Sequence, residues 1–300
     1  MNADPRVAAV IVSYEGREAL LASLESLRLH ATIPIETVVV DNASTDGSAE
    51  VVRAAYPAAR VLGNAENVGF ARACNQGWRA STAPFVLFLN PDAEVTPAAV
   101  ETLVALLEER NDVAAIGPRT RSSDGTIQVS TGRDLALVSE WRQRRLVRGV
   151  ARRDPEAIAE AERRHGQQHE PDWLSGCCLA VRRTALESVS GFDEGFFLYE
   201  EDADLCRRLR QAGWRILFTP AVEVRHRLGH SMRKAARRAR LEYHRSHLRY
   251  YRTHNGLGSR AVLRLLLAAR GGGQWLKGRV TGNAELAEDG AALLRFSVRS

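Results

Sequence analysis

Apolar runs and helical spacings alternate along the first part of the chain. Val7–Val12 is continuously apolar, which reads as a strand buried on both faces. Glu15–Leu29 follows, with Ala19, Leu20, Leu24 and Leu27 on one helical face. The alternation then repeats: strand Thr37–Val40 and helix Ser48–Ala55, strand Arg60–Leu62 and helix Ala71–Arg79, strand Phe85–Leu89 and helix Pro97–Glu109, and strand Val113–Ile116. Strands and helices in turn predict an α/β protein with a mostly parallel central sheet.

The pattern then changes twice. Residues 133–171 are charged, helical in spacing and poor in large apolar side chains, so they read as a partly mobile excursion from the core. Core character returns at Trp173 and runs to Val224. Arg233–His254 reads as a long basic helix with Leu241, Tyr243, Leu248, Tyr250 and Tyr251 embedded in it. Ala261–Ala269 reads as a short apolar helix, and from Gly271 onward the pattern assigns nothing.

Composition adds little until charge is mapped. A chain of 300 residues with 45% hydrophobic and 26% charged residues is an ordinary globular protein. The segment Met1–Pro5 lacks the features of a signal peptide, and no apolar run approaches the roughly 18 residues of a membrane span. Cys74, Cys177, Cys178 and Cys206 lack metal-type spacing and read as reduced core thiols of a cytoplasmic protein. Net charge is +6, yet Arg225–Arg279 holds fifteen Arg or Lys against one acid, Glu242, so that segment carries +14 and the rest −8. A basic end of this kind predicts an anionic partner, whether nucleic acid or lipid, or else a solvated helix face.

The chemistry gathers where strands end. The loops after the first four strands carry Ser13-Tyr14-Glu15, Asp41-Asn42-Ala43-Ser44, Asn64 to Arg72 and Asn90-Pro91-Asp92. In a parallel sheet these share one edge, the place where open α/β sheets hold ligands. Pro91 cannot donate to a ladder and stops its strand, leaving Asp92 at the strand end. A carboxylate there suits a hard cation carrying a diphosphate, although alone it would read as a turn cap. There is no GxGxxG after the first strand and no GxxxxGK[ST], so neither common phosphate loop is available.

The pieces IVSYEG, VVVDNASTDGS, NVGFARACNQG and LFLNPDAE, followed by WLSGCCLAVRR, GFDEGFFLYEEDADLCRRLRQAGW and VEVRHRLGHS, resemble family 2 glycosyltransferases, in particular a rhamnosyltransferase-like subgroup. The resemblance covers residues 5–255 apart from the 133–171 excursion. It implies a GT-A fold, a Rossmann-like αβα sandwich, and metal-dependent, inverting transfer from a nucleotide-diphosphate sugar. It divides the chain into a catalytic domain over 1–230, nucleotide-binding to about 120 and acceptor-binding beyond, and a basic helical C-terminal extension over 231–300.

Residue by residue, the resemblance places Ser13, Tyr14 and Asp41 in the base pocket, with Asp41 accepting from the imide N–H of uracil or thymine. Asn67, Gly69 and Arg72 would face the donor, Arg72 forking onto phosphate. Asp92 matches the last Asp of the family's DxD motif, whose first Asp is here Asn90, giving NPD. Asp202 of the Glu201-Asp202 pair would be the catalytic base, placed at the positive end of a helix. His226, in an HxxGxS motif with Gly229 and Ser231, would join Asp92 on Mn²⁺ or Mg²⁺. Trp173 and Gly176 fall on the acceptor side.

These implications predict rhamnose transfer from dTDP-rhamnose to a glycan or lipid-linked acceptor in cell-envelope synthesis. A UDP-sugar enzyme of the same fold is the alternative. A nucleic-acid-binding protein is disfavoured because the basic charge avoids the sheet and no nucleic-acid module is present. Arg237, Arg238, Arg240, Arg245, Arg249 and Arg252, interleaved with tyrosines and followed by an apolar helix, predict instead a peripheral anchor on an anionic membrane surface, at the inner face of the plasma membrane. The sequence leaves homo-oligomer formation open.

Overall fold

The computed structural model describes residues 4–227 and 236–299. Ten strands occur among them: β1 Val7–Ser13, β2 Ile35–Asp41, β3 Arg60–Gly63, β4 Phe85–Leu89, β5 Ala93–Val95, β6 Val113–Arg121, β7 Thr131–Gly132, β8 Trp173–Leu174, β9 Cys178–Arg182 and β10 Arg215–His226. The helices are α1 Arg17–His30, α2 Ser48–Ala55, α3 Phe70–Arg79, α4 Ala99–Glu109, α5 Leu137–Ala151, α6 Pro155–Arg164, α7 Arg183–Ser188, α8 Glu201–Gln211, α9 Ala236–His254, α10 Leu257–Thr281 and α11 Ala284–Arg299.

Eight strands form one sheet in the order β3-β2-β1-β4-β9-β6-β10-β5. β9 and β5 run antiparallel to their neighbours and the other pairings are parallel. Both faces of the central strands are covered, which is why they are continuously apolar. Val7, Ala9 and Ile11 of β1 pack with Leu20 and Leu24 of α1 and Leu103 and Leu107 of α4. Val10 and Val12, pointing the other way, pack with Cys74 and Trp78 of α3 and Leu205 and Leu209 of α8. The result is an αβα sandwich.

Two regions differ from the sequence expectation. Residues 133–171 are a packed helical pair rather than a mobile excursion. Leu146, Val150 and Ala161 form a small core with Ile127, and Glu140 is buried against Tyr251 of α9. Too few large apolar residues stand in that stretch for the contact to show without its partners. The C-terminus differs more. The expected short helix is the first part of the 25-residue α10, and the unassigned tail completes a helical hairpin with α11. Glycine is responsible: a Cβ on Gly278 would meet the Ala287 nitrogen at 2.4 Å, and one on Gly271 would meet the Gly290 oxygen at 2.8 Å. The glycines that look like a helix stop are the seam along which two helices approach. The expected start of the basic helix at Arg233, and Gly229 and Ser231 of the HxxGxS motif, lie outside the described residues.

The tyrosines of α9 correct the membrane-anchor expectation. Tyr250 and Tyr251 are each 1% exposed and belong to the sheet's own core cluster with Leu248. They face the core beneath the sheet, so α9 does not present them to a membrane.

Candidate active site

The register of the parallel strands sets the site. Ser13 pairs with Asp41, and Asp41 with Gly63, so the first three strands end level. Above these ends lies a cavity of about 480 Å³ lined by Tyr14, Asn42, Asn67, Gly69, Phe70, Asn90, Asp92 and His226. Its far wall is the 197–199 loop with Arg238, Ala239 and Glu242 of α9. The Asn42 amide ties the loops together: Nδ2 donates to Asn67 Oδ1 and the Gly69 carbonyl, both at 3.2 Å, and Oδ1 accepts from Asn64 Nδ2 at 2.9 Å. Gly69 is required at its position. Its φ is +89°, and a Cβ would meet the Phe197 carbonyl oxygen at 2.7 Å, where the Phe70 N–H already donates.

Ser13 and Asp41 stand behind this wall. Asp41 Oδ2 accepts from the Ser44 N–H at 3.3 Å, while Asp41 Oδ1 and Ser13 Oγ are buried with no hydrogen-bond partner. An orphaned buried acceptor at a strand end is an incomplete site, because leaving it unmatched costs about 1–3 kcal/mol.

The short strand β5 brings the metal-type pair together. Its antiparallel register sets His226 opposite Ala93, and the Arg227 N–H donates to the Asp92 carbonyl at 2.9 Å. His226 Nε2 lies 3.1 Å from Asp92 Oδ1 and 3.3 Å from Asn90 Nδ2. Gln128 orients the ring: its Nε2 donates to the His226 carbonyl at 2.9 Å, leaving Oε1 to accept from Nδ1–H at 3.0 Å. With Nδ1 on Gln128, the Nε2 edge of the ring faces the Asp92 carboxylate. Such an arrangement suits a cation between them. Among the described residues no three carboxylate, imidazole or thiolate groups surround one point. The set therefore fits a hard divalent ion that takes its remaining oxygen ligands from a diphosphate and water; neighbouring ligands of such an ion stand about 3 Å apart.

Asp202 sits in the first turn of α8 with part of its surface open. Its Oδ2 accepts from the Gly176 N–H and its Oδ1 from the Ala203 N–H, both at 2.8 Å. Burial raises its pKa above the ordinary 3.8, and the two backbone donors moderate the rise. Glu201 is buried, and burial together with the neighbouring Asp202 charge pushes its pKa well up. Of the pair, Asp202 is the less buried residue, and backbone donors hold both of its oxygens. Burial raises the pKa of the Cys177 thiol, and the charges of Asp202 and Asp92 add to the rise.

The turn before α8 is strained. Tyr199 and Glu200 have φ of +71° and +65°, costing about 1 kcal/mol or more each. α9 holds it in place. Ser246 Oγ donates to the Leu198 carbonyl at 2.8 Å, His247 Nδ1 meets Glu200 Oε1 at 2.7 Å, and His254 Nε2 meets Asp204 Oδ1 at 2.7 Å. His247 and His254, two helical turns apart, grip the acids on either side of the Glu201-Asp202 pair.

Among the sequence-predicted residues, Tyr14, Asn67, Gly69, Asn90, Asp92 and His226 line the cavity. Gly176 touches Asp202 instead, and Trp173 packs over Gly132 with its Nε1 unpartnered. Arg72 stands apart from them: it is largely exposed, 3.8 Å from Glu194, and does not line the cavity. The guanidinium in the wall is Arg238, stacked 4.7 Å over Phe197. Sequence reasoning grouped it with the other arginines of a basic helix and missed its role. Asn42 was missed for a different reason, since its work is to join loops that are distant in sequence. His226 also borders a second cavity of about 410 Å³, lined by Gln128, Ser130, Val147, Val150, Arg153 and Ser175. Ser130 Oγ is buried there without a hydrogen-bond partner.

A strand-end pocket over a mixed sheet, with a carboxylate–imidazole pair in its lining, is the arrangement of the GT-A glycosyltransferase fold; Asp202, on α8, is not among the residues that line the pocket. The fold matches the mannosyltransferase PcManGT from Pyrobaculum calidifontis in complex with GDP-Man and Mn²⁺, with a TM-score of 0.60 over 99% of this chain and 87% of that one, at 18% identity. It also matches GalNAc-T7 with UDP, GalNAc and Mn²⁺, at a TM-score of 0.55 and 16% identity over 82% of this chain and 50% of that one.

The chain belongs to glycosyl transferase family 2, whose profile matches residues 8–190. It is 33% identical to the N-acetylglucosaminyl-diphospho-decaprenol L-rhamnosyltransferase of Mycobacterium tuberculosis over 234 residues, which is 74% of this chain and 76% of the relative. It is 39% identical to the rhamnosyltransferase WbbL of Escherichia coli over 79 residues, 26% of this chain and 30% of that one.

Proposed function

We propose that the protein transfers L-rhamnose from dTDP-rhamnose, with inversion and with a divalent ion bound, to a lipid-linked glycan acceptor of cell-envelope synthesis. The observation that carries the mechanism is Asp202: a partly exposed residue in the first turn of α8 whose two carboxylate oxygens are both held by backbone N–H groups. The sugar assignment rests on the rhamnosyltransferase relatives.

In this reading the donor base lies against Tyr14, with its imide N–H given to the orphaned Asp41 Oδ1. Arg238 meets the diphosphate from the α9 side. Asp92 and His226 would hold Mn²⁺ or Mg²⁺, which supplies positive charge to the departing diphosphate. The acceptor hydroxyl oxygen attacks the anomeric carbon as the bond from that carbon to the diphosphate oxygen breaks. The bonding pair leaves with the nucleoside diphosphate, and the hydroxyl proton passes to Asp202. The second cavity, with the unpartnered Ser130 hydroxyl among Val147 and Val150, suits the acceptor sugar. A lipid-linked acceptor would set the reaction at a membrane surface.

Nucleotide release across purified dTDP-, UDP- and GDP-sugars, with Mn²⁺ and an N-acetylglucosaminyl-diphospho-lipid acceptor, tests this directly. Preferred turnover of dTDP-rhamnose and an anomerically inverted product are expected. A preference for a UDP-sugar would move the reading to that alternative, and a product of retained configuration would overturn the base assignment.

A further inference from the structure

The basic end of the chain is sorted by the fold into two surfaces. On α9, Arg237 pairs with Glu288 and Asp289 of α11, Arg240 with Glu285 and Asp289, and Arg249 with Asp193. Its positive charge is largely answered within the molecule. α10 differs: from Leu257 to Thr281 it carries Arg260, Arg264, Arg270, Lys277 and Arg279 and no acid.

The apolar residues of α10 are also sorted. Leu263, Leu267, Gly271 and Gly278 are buried, the glycines against α11. The other side is left bare: Val262 is 44% exposed, Leu265 70%, Leu266 57%, Leu276 58% and Val280 78%. At 100° per residue these five, with Ala269 and Gly273 between them, fall within an arc of about 100°. The stripe runs for about 27 Å at 1.5 Å per residue. Arg270 and Lys277 border it on one side and Arg279 on the other, all exposed. Monomeric proteins seldom leave so continuous an apolar face to water.

We infer that α10 lies in the plane of an anionic membrane surface, its apolar stripe among the acyl-chain ends and Arg270, Lys277 and Arg279 at the lipid phosphates. Charge selects this occupant. A second copy seated on the stripe would bring two acid-free cationic helices face to face. No helix of the described residues is long and apolar enough to cross a membrane, so α10 rests on the leaflet. Bordering cations beside a bare apolar stripe are the chemistry of interfacial helices on anionic lipid. The placement also serves the site. α11, locked to α10 by the glycine seam, pairs with Arg237 and Arg240, which flank the cavity-lining Arg238 and Ala239. The inference deepens the lipid-linked-acceptor reading and rests on it for its purpose, while the binding itself needs no catalysis.

Flotation of the full chain with phosphatidylglycerol–phosphatidylcholine vesicles, against phosphatidylcholine vesicles alone, tests it without donor or acceptor. The wild-type chain is expected to float with the anionic vesicles and to bind at least tenfold less to the neutral ones. Leu265→Glu with Leu276→Glu should abolish flotation while leaving the melting temperature and slow donor hydrolysis in water unchanged. Arg270→Glu with Lys277→Glu should weaken binding at least tenfold. Vesicle binding that survives both double variants, or no binding by the wild-type chain, overturns the inference. So does a wild-type dimer that Leu265→Glu makes monomeric, since it would give the stripe to a second copy. Loss of rhamnose transfer with intact flotation would count against the enzyme reading alone.

Discussion

On the donor side, Tyr14, Asn42 and Asn90 each follow directly on a strand of the parallel part of the sheet, with Asp92 two residues further on, in a layer whose register is fixed by buried β-branched and aromatic residues. Asp202 instead follows two consecutive residues held at positive φ, Tyr199 and Glu200, in a turn that α9 clamps through Ser246, His247 and His254. The donor loops inherit their geometry from local sheet structure, where each side chain is a short step from a rigid strand. The turn before Asp202 takes its geometry from a helix that begins more than thirty residues later in the chain. Damage to the first should show as lost donor or metal affinity, whereas damage to the clamp should show as lost rate and a shifted pH response.

The sharpest separation comes at the base. Asp202→Asn keeps the shape and can still accept from Gly176 and Ala203, but it cannot take the hydroxyl proton. Turnover should fall on the order of 10²–10⁴-fold with donor affinity nearly unchanged, measured by single-turnover kinetics and donor titration. The acid limb of the wild-type rate should also sit above that of an ordinary aspartate, because burial raises the Asp202 pKa and the protonated form cannot act. Near wild-type turnover in Asp202→Asn would move the base elsewhere on α8.

Asp92→Ala tests the donor side. The mutation leaves His226 as the remaining half of the pair, and we expect a loss of about 10²-fold in rate together with weaker Mn²⁺ activation, read from metal titrations. Undiminished activity in excess EDTA would remove the ion from the reading altogether. Asn90→Asp, which adds a charge beside His226 Nε2, should instead be tolerated.

What the sequence revealed follows the same divide. Strands β1 to β4, the order of their loops and the place of Asp92 were legible because each depends on a few consecutive residues: an apolar run, a proline, a carboxylate. The antiparallel insertion of β9 and the β5–β10 pairing that delivers His226 to Asp92 depend on contacts across the chain, and only the resemblance suggested that the two meet. Arg238 was hidden by its neighbours, since nothing local separates it from Arg237 and Arg240, which bind acids of α11. The excursion was misjudged because its stabilising contacts, Glu140 to Tyr251 and Leu146 to Ile127, have their partners outside it. The α10–α11 hairpin was misjudged because a Gly-rich segment is read as a break unless the partner helix is known.

Two arginines make a smaller test of the same contrast. Arg238→Ala should raise the donor KM about tenfold, the worth of one charge-assisted contact to phosphate. Arg72→Ala, which removes only a long contact to Glu194 at the surface, should stay within about twofold. Steady-state kinetics on both variants decides the assignment, and the reverse order of effects would return Arg72 to the donor site.

The smallest effect is expected at the clamp itself, and its sign is set by His247. Burial alone would lower the pKa of this imidazole, but the charge and hydrogen bond of Glu200, with Glu140 beyond it, carry it above the ordinary 6.5 despite Arg144 nearby. Nε2 faces Glu140 Oε2 at 3.3 Å, too poorly aligned for a hydrogen bond, so the Glu200 contact at 2.7 Å dominates. A group whose native pKa is raised stabilises the fold fully below its unfolded value and loses that contribution as pH climbs through the raised native one. His247→Gln should therefore destabilise the protein by about 1–2 kcal/mol below pH 6.5, and by progressively less above it, in denaturant melts across pH. If α9 positions the catalytic turn as the contacts indicate, the same variant lowers turnover and leaves the donor KM unchanged. A stability loss that is flat across pH, or a KM change without a rate change, would leave His247 as ordinary packing and return the strain at Tyr199 and Glu200 without an explanation.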